Sequence, residues 1–177
     1  RIGGMQLFHL EGDDPYDKFL PKISSVVTKI VIVYISLTAL LFILYYLNQM
    51  TLFDALAHSL TTISTGGFST HNDSFAYFQS NSILNIAIIF MILGSFPFLV
   101  LAQTTFTNIS IVLKDNQIRL FLIILIFAVS IIFYLARTYV DGSTLQKLTT
   151  ISFNTISIIS GTGYVSSNFE PWGNYAS

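Results

Sequence analysis

Two clusters of hydroxyl residues and glycines carry the chemistry available to this 177-residue chain. The first reads Ser64-Thr65-Gly66-Gly67-Phe68-Ser69-Thr70 and the second Ser160-Gly161-Thr162-Gly163-Tyr164-Val165-Ser166. Backbone carbonyls and hydroxyls can replace the water around a monovalent cation without a fixed charge that would hold the ion too tightly. Glycine adds backbone conformations closed to other residues and lets chains approach closely. Thr65, Gly66 and Gly67, with Gly161, Thr162 and Gly163, are therefore the candidate ion-coordinating positions, flanked by Ser64 and Ser160. In alignment Ser64 meets Ser160, Gly67 meets Gly163, and Phe68 meets Tyr164. One such cluster in a membrane protein is ordinarily a helix-packing surface or a polar loop. Two aligned copies, each after a short helical pattern, point instead to an ion path. The two aromatic residues are expected to pack behind the loops and hold their width.

Other chemistries lack their residues. The chain has 3 histidines, His9, His58 and His71, at no zinc-ligand spacing, and no cysteine. No serine lies in a G-x-S-x-G elbow, so no catalytic residue is assigned. His58 aligns with Asn154, which favours a hydrogen-bonding role. His71 is expected to be solvated or paired with Asp73. Asp73 and Glu170 follow the two loops, where they could weakly attract cations to an outer mouth. A formal net charge of −1 offers no basic face for nucleic acid.

The elements that must position these clusters are membrane elements. Hydrophobic residues make up 53% of the chain and charged residues 10%, against about a quarter charged in soluble domains. A bilayer core takes roughly 20 apolar helical residues. Ile23 to Leu47, Ser82 to Thr107 and Ile118 to Tyr139 meet that need. The stretch from Asn81 to Leu113 would run about 50 Å as one straight helix, and Gly94-Ser95-Phe96-Pro97 predicts a kink within it. Before each cluster lies a short helix: Thr51 and Asp54 suit the first start, Ser143 or Thr144 the second. A short helix followed by a glycine-containing return fits a re-entrant pore helix and loop. Each pore helix turns its partially negative C-terminal end toward its loop, which favours a cation there. No carboxylate lies in mid-span, in contrast to proton relays. Placing Arg1, Lys18, Lys22, Lys29, Lys114 and Arg119 toward the cytoplasm leaves only Arg137 and Lys147 outside, so both loops belong to the outer face.

These residues resemble a known family. Phe53-Asp54-Ala55 through His58-Ser59 to Ser64-Thr65-Gly66-Gly67-Phe68-Ser69-Thr70-His71 is similar to the second pore loop of the TrkH/KtrB potassium uptake proteins. Ser157-Ile158-Ile159-Ser160-Gly161-Thr162-Gly163-Tyr164 is similar to their third. Gly3-Gly4-Met5-Gln6-Leu7-Phe8 resembles the end of the first repeat in the TrkH branch. The resemblance implies an all-α integral membrane fold of repeated membrane helix–pore loop–membrane helix units, as in potassium channels. It divides the chain into residues 1–22, the end of a preceding repeat with a cytoplasmic connection; 23–113, a complete repeat; and 118–177, a partial one. The complete repeat would hold a helix over 23–48, a pore helix and loop over 51–71 and a helix over 81–113. The partial one would hold a helix over 118–140, a pore helix and loop over 144–166 and an outer segment over 167–177. The chain begins at Arg1 and stops in polar sequence after Trp172, and is expected to be an internal piece of a longer protein.

By the same resemblance the family's filter glycines fall on Gly67 and Gly163, with carbonyls just before them facing potassium ions. The implied function is potassium uptake across a bacterial inner membrane by the pore-forming subunit, not an enzyme. The implied partners are membrane lipid, a second copy in a homodimer, and a cytoplasmic nucleotide-binding regulatory subunit. The alternatives are a secondary transporter of another cation or small solute with discontinuous helices, and a membrane scaffold without flux. Both copies run in the same direction, which favours a rotational pore over inverted halves.

Overall fold

The computed structural model of the chain describes residues 15–103, 112, 114–167 and 172, with side chains described over 24–102, 112, 114–167 and 172. The described residues are helical, without strands. The order is α1 (Pro15–Leu47), α2 (Leu52–Ile63), a 3-10 turn (Ser74–Phe78), α3 (Asn81–Gly94), α4 (Phe98–Gln103), α5 (Asn116–Ala136) and α6 (Thr144–Ile159).

Among the described residues two stretches are long and apolar enough to cross a membrane, Ser24–Leu47 of α1 and Asn116–Ala136 as α5. The third expected span is not one helix. Its first part, α3, ends at Gly94, and the chain turns through Ser95, Phe96 and Pro97 before α4 begins. Proline has no N–H to continue the ladder and its ring crowds the preceding turn. The ends made there are satisfied locally. Ser95 hydrogen-bonds through Oγ to the Met91 carbonyl at 2.7 Å, and the Pro97 carbonyl accepts from Val100 N at 2.9 Å. Residues 104–111 and 113, within the helix expected over 81–113, lie outside the described residues. The family-like segment Gly3–Phe8 also lies outside them.

The two short helices start where capping chemistry requires. Thr51 caps α2 by accepting from Asp54 N. Ser143 caps α6 with a full capping box, its side chain accepting from Gln146 N while Gln146 Oε1 accepts from Ser143 N at 2.8 Å. Such boxes satisfy two of the backbone donors orphaned at a helix start.

Packing follows a repeated scheme: α1 lies on α2, and α5 lies on α6. α3 touches α2 and packs extensively along α6, so it holds the two short helices together. One hydrophobic core joins them through Leu41, Tyr45, Ala55, Ile63, Phe75, Ala87, Met91, Phe153, Ile156 and Tyr164. A smaller cluster around Phe96, Val112 and Ile118 lies at the α3–α4 break. That break also sits at the end of α2: a Cβ on Gly94 would come 2.9 Å from the Ile63 carbonyl. Only glycine permits so close an approach there.

Candidate functional site

The two clusters form short non-helical returns after α2 and α6, and their backbones repeat. Thr65 has φ +50° and its counterpart Gly161 +76°. Gly67 has φ +69° and its counterpart Gly163 +84°. Left-handed residues alternating with others along a short strand keep it from coiling on as a helix and leave its carbonyls without ladder partners. Thr65 is the unusual member, since the left-handed region costs an L-residue roughly 1–2 kcal/mol.

Hydrogen bonds to the preceding helix repeat as well. Thr61 Oγ1 donates to the Phe68 carbonyl at 2.9 Å, and its counterpart Ser157 Oγ to the Tyr164 carbonyl at 2.8 Å. The Thr61 carbonyl also accepts from Gly66 N at 2.7 Å, and the Ser157 carbonyl from Gly163 N, one position further along its loop, at 3.1 Å. Farther out, His58 and Asn154 do matching work. His58 lies 2.8 Å through Nδ1 from the Asp54 carbonyl and 3.0 Å through Nε2 from Ser69 Oγ. Asn154 bonds the Thr150 carbonyl and Ser166 Oγ at 3.0 Å each, and accepts from Ser166 N at 3.1 Å. Each thus ties its helix to the returning strand. Burial holds the His58 imidazole below its ordinary pKa, although the Asp54 backbone and charge act the other way. The Asp54 carbonyl can only accept, so Nδ1 is the donor to it.

The two loops meet. A Cβ placed on Gly67 would overlap the Thr162 carbonyl oxygen, a backbone atom. By contrast, Cβ positions at Gly161 and Gly163 face open space. The structure thus brings Ser64–Gly67 and Ser160–Gly163 together at one place, each beside the C-terminal end of a short helix.

The aromatic pair behaves differently from expectation. Tyr164 is 2% exposed, but it packs against the other unit, its hydroxyl bonded to Thr61 and Thr62 of α2. Phe68 is 76% exposed. Tyr164 thus reaches sideways to the neighbouring short helix, whereas Phe68 stays largely exposed among the described residues. Phe75, in the 3-10 turn, is a packing residue missed by sequence reasoning. It is 1% exposed and lies between the units, its ring centroid 4.4 Å from Tyr164, 5.2 Å from His58 and 5.2 Å from Phe153. The only hint was the aromatic density of Ser74-Phe75-Ala76-Tyr77-Phe78 after the loop. Its turn also bonds the second return: Ala76 N to the Val165 carbonyl and Val165 N to Ser74 Oγ, both 3.2 Å.

The N-terminal end of α2 carries a polar cluster. Asp54 accepts from Thr70 Oγ1 at 2.5 Å and from Thr51 Oγ1 at 2.8 Å. His71 Nε2 lies 3.3 Å from Asp54 Oδ1, and its ring stacks on Tyr77 at 3.5 Å. The expected partner Asp73 is replaced by Asp54, because the returning strand folds back along α2. Burial works to raise the Asp54 carboxyl, but the Thr70 and Thr51 hydroxyls and His71 outweigh it and hold it below the ordinary value. Glu170 lies outside the described residues. Among those residues no group of histidines and carboxylates could hold a metal ion.

Apolar spanning helices with glycine-bearing re-entrant loops on short capped helices define an integral membrane protein of repeated helix–pore loop–helix units. The comparisons agree. The TrkH family model, described as a cation transport protein, matches residues 3–167, and the chain belongs to that family. It is 30% identical over 98% of its length to the Trk system potassium uptake protein TrkI of Halomonas elongata, covering 35% of that protein. It is 32% identical over 97% of its length to the Trk system potassium uptake protein TrkH of Vibrio parahaemolyticus, covering 36% of it. The crystal structure of the potassium transporter TrkH from Vibrio parahaemolyticus superposes with a TM-score of 0.79 at 29% identity, over 86% of this chain and 33% of that one. The chain therefore spans about a third of the length of the curated relatives it matches.

Proposed function

We propose that the chain forms two adjacent walls of a potassium-selective pore, and that the whole protein takes up potassium as the pore-forming subunit of a channel-like transporter in the bacterial inner membrane. Thr65, Gly66 and Gly67 with Gly161, Thr162 and Gly163 are the ion-facing positions, flanked by Ser64 and Ser160. The observation that carries this reading is the repeated backbone: left-handed residues at matching places, matching bonds to the preceding helix, and contact between the loops. Backbone oxygens held rigidly by their own helices suit a dehydrated monovalent cation. The ion is cargo and no cofactor or catalytic group is assigned.

Residues 23–113 form one repeat and 118–177 part of the next, with 1–22 closing a preceding one. The exposed apolar faces support further repeats around the same axis. Phe53 and Leu60 on α2 are 69% and 45% exposed, whereas their counterparts Thr149 and Ile156 on α6 are 6% and 3% exposed beneath α3. A helix equivalent to α3 would cover α2 in the same way. Relatives named as parts of a Trk system support a multi-component assembly. A homodimer in lipid with a cytoplasmic nucleotide-binding regulatory subunit is the form proposed.

Rubidium uptake by potassium-uptake-deficient bacteria expressing the whole protein tests the proposal. Replacing Gly67 with Ser should abolish uptake, or admit sodium, at unchanged membrane protein level. Unaltered uptake and selectivity would overturn it.

A further inference from the structure

A chain of hydroxyls, buried except for the half-buried Thr61, runs across the contact between the two units and ends on a loop carbonyl. Tyr45 of α1 is fully buried, and its Oη lies 3.2 Å from Thr62 Oγ1. Thr62, also fully buried, lies 3.2 Å from the Tyr164 hydroxyl. Tyr164 Oη bonds Thr61 Oγ1. Thr61 Oγ1 in turn lies 2.9 Å from the Phe68 carbonyl, closer than its own-helix alternatives at Ala57 (3.1 Å) and His58 (3.4 Å). The Tyr164 alternative, the His58 carbonyl, is 3.5 Å away.

A hydroxyl has one hydrogen to give, and buried hydroxyls must give it to something. The shortest contacts allow one consistent direction: Tyr45 donates to Thr62, Thr62 to Tyr164, Tyr164 to Thr61, and Thr61 to the carbonyl of Phe68. That carbonyl directly follows Gly67. The second loop's aromatic residue therefore controls the donor that holds the first loop.

Resting on the reading of the loops as filter walls, we propose that Tyr164 is a positioning residue for ion selectivity, holding the Gly67 wall in place from the neighbouring unit through Thr61, with Tyr45 as its anchor in α1. The relay is specific to this contact. Phe68, the counterpart of Tyr164, has no hydroxyl, and Ile158, the counterpart of Thr62, has none either. Aligned donors in a chain polarise one another, so the last bond depends on the earlier ones.

The test measures rubidium and sodium uptake by the whole protein in potassium-uptake-deficient cells, normalised to membrane protein level. Tyr164→Phe keeps the ring and removes the hydroxyl. It should lower the rubidium-to-sodium uptake ratio about fivefold, the scale of one net hydrogen bond, while rubidium uptake persists. Thr61→Val should do the same, and Thr61→Ser should restore the ratio. Tyr45→Phe should have a smaller effect that disappears in the Tyr164→Phe background, because the two act in series. An unchanged ratio in Tyr164→Phe, or independent additive losses in the double variant, overturns the relay. If Gly67→Ser also leaves selectivity unchanged, the filter reading fails; if Gly67→Ser destroys selectivity and Tyr164→Phe does not, only the relay fails.

Discussion

At the residue scale, the two loop glycines are alike in backbone but not in surroundings. Gly67 combines φ +69° with a Thr162 carbonyl standing where a side chain would begin, whereas Gly163 has φ +84° and open space. Gly163→Ala should therefore cost only the left-handed penalty, roughly 1–2 kcal/mol, and leave measurable rubidium uptake. Gly67→Ala must displace backbone of the other loop and should abolish it. Asp54 gives a pH prediction outside the spanning helices. Its carboxyl is held below the ordinary 3.8, so its bonds stabilise the fold fully above that value. The stabilisation is lost as pH falls through the lower folded value. Thermal unfolding in detergent should show Asp54→Asn less stable than the unaltered protein at pH 7, with the gap closing below about pH 4. A gap that widened on acidification would contradict this assignment. His58, His71 and Asp54 could be picked out in the sequence as polar residues on or near a pore helix. That His71 meets Asp54 rather than Asp73 depended on the return of the strand, which spacing alone does not give.

At the element scale, α2 and α6 were legible because capping and periodicity are local. The Ser143 box and the Thr51 cap lie where sequence places them. Ser143→Ala should cost about 1 kcal/mol, read as a lowered midpoint of thermal unfolding, and Ser143→Asp should recover most of it. The bend at Gly94-Ser95-Phe96-Pro97 was legible for the same reason, since proline acts on its own turn. Its place in the molecule was not. Gly94 meets the Ile63 carbonyl, a contact between residues distant in sequence, and so the break falls at the end of a pore helix. The fate of the aromatic pair was hidden likewise. Phe68 and Tyr164 occupy equal positions in their own units, and only the neighbouring helix separates an exposed ring from a buried one.

At the scale of the whole molecule, two units share one core, with Phe75 and Tyr164 at their junction and α3 running along α6. The open apolar face of α2 makes a prediction for the whole protein. If a helix of another repeat covers Leu60 as α3 covers Ile156, then Leu60→Ala and Ile156→Ala should each destabilise by about 2–5 kcal/mol. Ile126→Ala, at a position 65% exposed on α5, should change little. A Leu60→Ala variant as stable as Ile126→Ala would place that face of α2 against lipid.

The sequence by itself determined the membrane class, the helices with their caps and break, and the paired loops, because apolar run length, capping and glycine usage act within a few residues. Family membership was legible for the same reason, carried by contiguous motifs. Only the tertiary structure decided which loop atoms touch, which aromatic ring is buried, and that hydroxyls of α1, α2 and the second loop line up into one chain. Those outcomes depend on how helices far apart in sequence settle against each other, and no local preference encodes them.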